Sequence, residues 1–329
     1  MESRLAPFVA TQRGAVSVPH ARLGAEQLGQ LATIAADPAV TDILVNGGVV
    51  WVDRGHGMQR APSADMTSAA ARDLAITLVG RGGRHIDEST PTADARLAGG
   101  IRVHAVLAPL ASPAPLISLR LASPHPRDLA ALAATGAMTP SIRARLEGLV
   151  DVRANVLITG AAGTGKTTLL GAMLARAPAT DRIVVIEDVA EVRVEHPHVV
   201  SLEARQANIE GAGAIDTARL VREALRMRPD RLVLGECRGA EIRDLLAALN
   251  TGHDGGFGTL HANSLADVPT RLDALGALAG LDSIAVARQT TSAIGAIVHL
   301  VRVDGQRRVD GIGRFRIDQH GHLAVEVVA

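Results

Sequence analysis

Aromatic residues are nearly missing from this 329-residue chain, which has no tyrosine, one tryptophan (Trp51) and three phenylalanines. Proteins that grip single-stranded nucleic acid stack bases on aromatic rings, so this scarcity argues against such a platform. Cys237 is the only cysteine, so no intrachain disulfide can form and a reducing compartment is the simplest setting. Net charge is absent too, with 34 acidic residues against 34 basic ones. That balance weighs against a broadly basic nucleic-acid surface, though a local arginine patch remains open, and no stable nucleic-acid partner is expected. The N-terminus has no apolar run of signal-peptide type. The longest uncharged, fairly apolar stretch, 103–119, carries Pro109, Pro113 and Pro115, which rule it out as a membrane helix. The expected protein is soluble and cytoplasmic.

Lysine is the other near-absence. Lys166 is the single lysine beside 33 arginines, and it lies in Gly160-Ala161-Ala162-Gly163-Thr164-Gly165-Lys166-Thr167. This is a P-loop pattern, in which backbone N–H groups wrap phosphate oxygens and a cationic side chain reaches in as a compact point charge. An ammonium meets that need, whereas a planar guanidinium is bulkier and fixes its donors in direction. Gly160 through Thr167, together with Thr168, are therefore the candidate nucleotide-binding residues. Thr167 is the candidate metal ligand through its hydroxyl.

At 47% apolar and 21% charged residues the chain is of ordinary globular composition, and its length allows two domains. The first part reads as a small α+β domain. It has helical spacing over 23–34 and 68–79, a hairpin turning at Asn46-Gly47-Gly48, and strands at 101–106 and 116–121. Residues 1–126 form this domain, 127–140 a linker after the Pro-rich 122–126, and 141–329 the second domain. After Pro140 strands alternate with helices, the signature of a parallel α/β sheet. Strand 155–159 runs into the P-loop and helix 167–176 leaves it. Strands 182–186, 232–234 and 257–260 follow, with helices over 218–227 and 241–249 between them.

Hydrolysis needs carboxylates on the far side of the γ-phosphate, and open α/β sheets place ligands at the C-terminal ends of strands. Glu187 and Asp188 end one strand and Glu236 ends another. Glu236 and Glu187 are the catalytic candidates, with Glu236 and Asp188 as further metal ligands; spacing alone does not separate the general base from a metal support. His261, after the last short strand, is a candidate γ-phosphate sensor or a packing residue. His196 and His198 read as a surface turn, since no matching ligand set accompanies them. In the first domain Arg96, Arg102 and Arg120 are candidates for an arginine supplied by a neighbouring subunit, where phosphoryl transfer builds charge on equatorial oxygens.

In order along the chain these motifs resemble the type II/type IV secretion ATPase superfamily, and most nearly its Tad/CpaF pilus-assembly branch. The resemblance spans about 85–280. It rests on Asp87-Glu88-Ser89-Thr90-Pro91, Asp94-Ala95-Arg96-Leu97, the P-loop, Ile186-Glu187-Asp188 with Glu191, Gly235-Glu236-Cys237-Arg238-Gly239 and Thr259-Leu260-His261-Ala262-Asn263. It implies a RecA-like C-terminal domain, a mobile N-terminal domain, ATP and Mg²⁺ as ligands, and a homo-hexameric ring. The ring would dock on the cytoplasmic face of an inner-membrane pilus or secretion platform. Lys166 and Thr167 would be the Walker A residues, Glu236 the Walker B glutamate, Glu187 and Asp188 the Asp box and His261 the His box. Arg102 and Arg120 fall where the family presents arginines to nucleotide. A single cysteine excludes the four-cysteine zinc module of type II export ATPases, so no zinc is expected.

The leading expectation is an ATPase driving pilin or substrate export. A conjugation-type ATPase for DNA transfer shares its chemistry. A nucleotide-binding switch with little turnover would not need both Glu187 and Glu236. A small-molecule kinase would need a lid and an acceptor pocket, neither of which is legible.

Overall fold

The computed structural model describes residues 24–55, 57–121, 128–205 and 213–328. The chain divides into two units, Met1–Pro124 and His125–Ala329.

In the first unit a 3₁₀ turn, Ala25–Leu31, leads into α1 (Ala32–Ala36). Strands β1 (Asp42–Asn46), β2 (Val49–Asp53) and β3 (Met58–Arg60) precede α2 (Ser68–Arg81), and β4 (Thr92–Leu97), β5 (Ile101–Val106) and β6 (Leu116–Arg120) follow it. Among the described residues they form one antiparallel sheet in the order β3-β2-β1-β6-β5-β4. The β1–β2 turn needs left-handed backbone at both centres, which Gly47 (φ 62°) and Gly48 (φ 105°) supply. Strand residues alternate, so Ile43, Val45, Val103, Ala105, Ile117 and Leu119 share a buried core with Ala71, Ala75, Leu78 and Val79 of α2. Thr67 starts α2 by accepting the Ala70 N–H at 3.1 Å. The 23–34 segment differs from its expected helix because Gly29 adopts φ 56°, which breaks the α geometry.

The second unit begins with α3 (Leu129–Ala134) and α4 (Pro140–Asp151). The expected linker 127–140 therefore carries a helix, whose Leu129 and Leu132 are buried with Met138 in this unit's core. Residues 122–127 of the Pro-rich segment lie outside the described residues. The order then runs β7 (Val156–Gly160), α5 (Lys166–Leu174), β8 (Ile183–Glu187), β9 (Val199–Glu203), α6 (Thr217–Ala224), β10 (Arg231–Leu234), α7 (Glu241–Leu249) and β11 (Phe257–His261). It closes with α8 (Val268–Leu278), α9 (Ser283–Ala293), β12 (Ala296–Val303), β13 (Gln306–Ile317) and β14 (Leu323–Val327).

The sheet order is β14-β13-β12-β7-β11-β10-β8-β9, parallel from β12 to β9 and antiparallel in the β12–β13–β14 meander. β7, β8 and β10 are buried along their whole length and are apolar apart from Thr159, Glu187 and Arg231 near their ends. Their side chains feed two cores. Leu157, Val184, Ile186, Leu232 and Leu234 face one, and Val156, Ile158, Ile183, Val185 and Val233 face the other. Because β7, β8, β10 and β11 all point the same way, the P-loop, Glu187, Glu236 and His261 emerge on one edge of the sheet. No helix among the described residues is long and apolar enough to cross a membrane.

Candidate functional site

The P-loop leaves β7 at Gly160, whose φ of 149° and whose surroundings exclude any side chain: an added Cβ would lie 2.4 Å from the Leu300 carbonyl oxygen. Gly165 (φ 95°) occupies the N-cap of α5 and turns the chain into the helix. Thr164 is buried, and its hydroxyl closes the loop by donating to the Ala161 carbonyl at 2.9 Å. Ala161, Ala162, Gly163 and Thr168 are exposed along the rim, with Thr167 partly so. The loop thus couples a rigid base to an open mouth at a helix N-terminus, the electrostatic setting that favours phosphate.

Lys166 is only 7% exposed. Its ammonium donates to the Gly160 and Ala161 carbonyls, both at 2.9 Å, and contacts His261 Nδ1 at 3.3 Å. Burial pulls its pKa below the ordinary 10.5, an effect the Glu236 and Glu191 carboxylates oppose. An ammonium can only donate, so Nδ1 of His261 is the acceptor and Nε2 carries the proton. That Nε2–H meets Glu236 Oε1 at 2.6 Å. Burial, then the neighbouring Lys166 charge, holds the His261 pKa below 6.5, which agrees with this neutral tautomer.

The line of contacts continues. Glu236 Oε2 accepts from Arg238 Nη2 at 2.5 Å, and Arg238 Nη1 lies 3.6 Å from Asp188 Oδ2. One guanidinium therefore bridges carboxylates from two strand tips, β8 and β10. Burial raises the Asp188 pKa, and Arg238 counters it. Glu241 accepts the backbone N–H groups of Arg238 (2.6 Å) and Gly239 (2.7 Å), fixing the turn that presents Arg238.

Glu187 is placed differently from its partner candidates. It is 5% exposed, and its Oε1 accepts the N–H groups of Glu191 (2.8 Å) and Val192 (3.0 Å). It thus organises the loop after β8. The carboxylate that loop brings to the P-loop belongs to Glu191, whose Oε2 accepts from Thr167 Oγ1 at 3.4 Å.

Two further residues adjoin the loop without any sequence signal beyond their type. His299 on β12 is 1% exposed, and its Nδ1 pairs with Thr159 Oγ1 at 2.8 Å, just before the P-loop. It also hydrogen-bonds the Asn263 backbone, while burial lowers its pKa from 6.5. Arg307 on β13 is the other, its Nε donating to the Gly163 carbonyl at 3.0 Å, and arginines are too common here to stand out. Cys237 is buried, which pushes its thiol pKa far up and removes it as a nucleophile. His196 and His198 bond to the Pro178 carbonyl and to Arg182, and among the described residues no three His, Cys, Asp or Glu side chains converge on one point as a metal site.

In the first unit the register places Arg102 of β5 directly opposite both Arg96 of β4 and Arg120 of β6. All three lie on the face away from the apolar core. Arg120 is also 3.5 Å from Asp42 Oδ1, and the next row pairs His104 Nδ1 with Asp94 Oδ1 at 2.9 Å.

Comparison with known proteins agrees with these features. A family model described as type II/IV secretion system protein matches residues 66–322. A putative conjugal transfer protein of Mycobacterium tuberculosis (strain H37Rv) is 46% identical over 287 residues, covering 85% of this chain and 82% of that protein. A probable conjugal transfer protein TrbB of Sinorhizobium fredii is 31% identical over 312 residues, covering 92% of this chain and 91% of that one. Among solved structures, the Legionella pneumophila ATPase DotB superposes with a TM-score of 0.60 at 22% identity, covering 88% of this chain and 80% of that one. The pilus retraction motor PilT with bound ADP gives 0.60 at 20%, covering 91% and 82%. Those structures speak for the fold, an N-terminal domain followed by a RecA-like one, while the family match and the two relatives speak for descent. The chain is a member of the type II/IV secretion system protein family.

Proposed function

We propose that this chain is a Mg²⁺-dependent ATPase that works as a homo-hexameric ring and drives transport or pilus assembly at a membrane platform. The observation that carries the proposal is the unbroken line Lys166–His261–Glu236–Arg238–Asp188, which ties the P-loop cation to the acidic strand tips. A loop that only bound nucleotide would have no use for two carboxylates wired to its lysine.

The donors suit Mg²⁺, a hard cation that takes oxygen ligands. Thr167, Glu236 and Asp188 would hold it, and Arg238 already acts as a cation shared by the two carboxylates. Bound there, Mg²⁺ would supply charge neutralisation at the β- and γ-phosphates. The remaining chemistry belongs to the chain. The backbone amides of 161–168 cradle the phosphates, and Lys166 leaves the Gly160 and Ala161 carbonyls for phosphate oxygens. Glu236 orients the attacking water with His261 as its partner. Glu191, beside Thr167, takes the second carboxylate position in place of Glu187. Arg102 and Arg120, presented by a neighbouring subunit, neutralise charge as the γ-phosphoryl group leaves.

The same reading places the protein on the inner face of the cytoplasmic membrane, held by a platform protein. Within it the Tad/CpaF pilus branch is our first assignment. Two relatives that carry conjugal-transfer names favour conjugation-type transfer as the second.

A measurement of phosphate release against protein concentration, beside native mass, tests the shared site. The rate per subunit should climb as rings assemble, because an isolated subunit lacks its neighbour's arginines. A rate per subunit that stays constant down to the monomer would remove the ring from the proposal.

A further inference from the structure

We infer that Arg307, on the β12–β13 hairpin, is a positioning residue that holds the P-loop in its phosphate-binding form. The inference rests on the nucleotide-binding reading above and adds to it a segment that lies beyond every motif of the sequence.

The sheet register delivers this hairpin to the loop. β12 runs parallel to β7, with His299 opposite Thr159 and Leu300 opposite Gly160. As β7 turns into the P-loop, β12 continues alongside and reverses at Asp304 (φ 50°) and Gly305 (φ 78°). Arg307 stands on the returning strand opposite Arg302. Its Nε donates to the Gly163 carbonyl at 3.0 Å, and its Cδ lies 3.4 Å from where a Cβ on Gly165 would be. The aliphatic stem therefore lies over the N-cap turn of α5, and the guanidinium grips the loop one peptide earlier.

A trans peptide carries its C=O and the following N–H in opposite directions. Holding the Gly163 carbonyl toward the hairpin therefore turns the Thr164 N–H toward the hollow of the loop, where phosphate oxygens bind. A cation on the carbonyl also polarises that amide, which makes its N–H a stronger donor. Gly163 (φ 73°) is free to adopt other conformations, so this peptide needs an external restraint. Arg307 provides it without touching the nucleotide.

Titration of ADP into the full chain by calorimetry tests the assignment with two variants. R307M keeps the stem over Gly165 and loses the donor; R307K keeps a cation that can reach the same carbonyl. R307M should weaken ADP binding about fivefold, the size of one ordinary hydrogen bond lost at an exposed site. R307K should recover most of the loss. The nucleotide-free melting temperature of both should match the unaltered chain, since the side chain is exposed. Unchanged ADP affinity in R307M would overturn the inference. So would a lowered melting temperature in R307M accompanied by weak binding in R307K, which marks simple packing. If the unaltered chain bound no ADP, the nucleotide reading itself would fall, a result separable from either of these.

Discussion

Lys166→Ala is expected to abolish ATP turnover, with phosphate release at saturating ATP and Mg²⁺ falling at least about 10³-fold. Lys166 is the single lysine of the chain, buried at the loop and held at 2.9 Å by two of the loop's own carbonyls. Those carbonyls are what phosphate oxygens would displace. Alanine removes the only side-chain cation of the P-loop itself, and none of the surrounding arginines belongs to that loop. The variant should still fold, since α5 is anchored by Leu169, Leu170 and Met173, all fully buried. Lys166→Arg should fail nearly as badly, because the guanidinium does not fit the space the ammonium fills. Undiminished hydrolysis by Lys166→Ala would show that this pocket does not hydrolyse ATP.

Glu236→Gln should separate binding from hydrolysis. Glutamine keeps the size of the side chain and one acceptor oxygen, enough for Arg238 or His261 but not both, and leaves Lys166 and the loop amides untouched, so ATP affinity should change little. If Glu236 orients the water as proposed, its loss of charge should drop kcat about 10²- to 10³-fold. Glu187→Gln provides the contrast. That carboxylate accepts two backbone N–H groups within a buried loop, and its change should lower the melting temperature before it touches chemistry. If Glu187→Gln stopped catalysis in a fully folded protein while Glu236→Gln did not, the two roles would have to be exchanged.

Much of the RecA-like unit was legible because its signals are local. β7 opens on the apolar run 156–158, the glycines of the loop require left-handed backbone, and α5 starts where the loop ends. The strand tips at Glu187 and Glu236 were equally plain, since parallel strands bury everything but their ends. Other features depend on contacts that the sequence does not spell out, even where the residue itself lies in a motif. Glu191 reaches Thr167 only because Glu187 folds the loop between them. Arg307 looks like any other arginine until the sheet order puts it beside Gly163, and Arg238, two residues after Glu236, meets Asp188 only because β8 pairs with β10. His299 reads as one apolar-strand histidine, and only the β7–β12 register sets it against Thr159. The arginine row falls between these cases. Arg96, Arg102 and Arg120 could be named from sequence, but their alignment across three strands is a matter of register. The C-terminal β12–β13–β14 meander lay past the last motif and was not anticipated.

A mixing experiment tests most directly the claim that the site is completed by a neighbour. One variant, Lys166→Ala, has a disabled pocket and intact arginines; the other, Arg102→Ala with Arg120→Ala, has the reverse. Each alone should be nearly inactive. Mixed in equal amounts and allowed to exchange subunits, they should regain a measurable part of the normal ATPase rate, because some intact pockets then face intact arginines. Mixtures no more active than their parts, under conditions where subunit exchange is seen by native mass, would contradict hydrolysis shared between subunits.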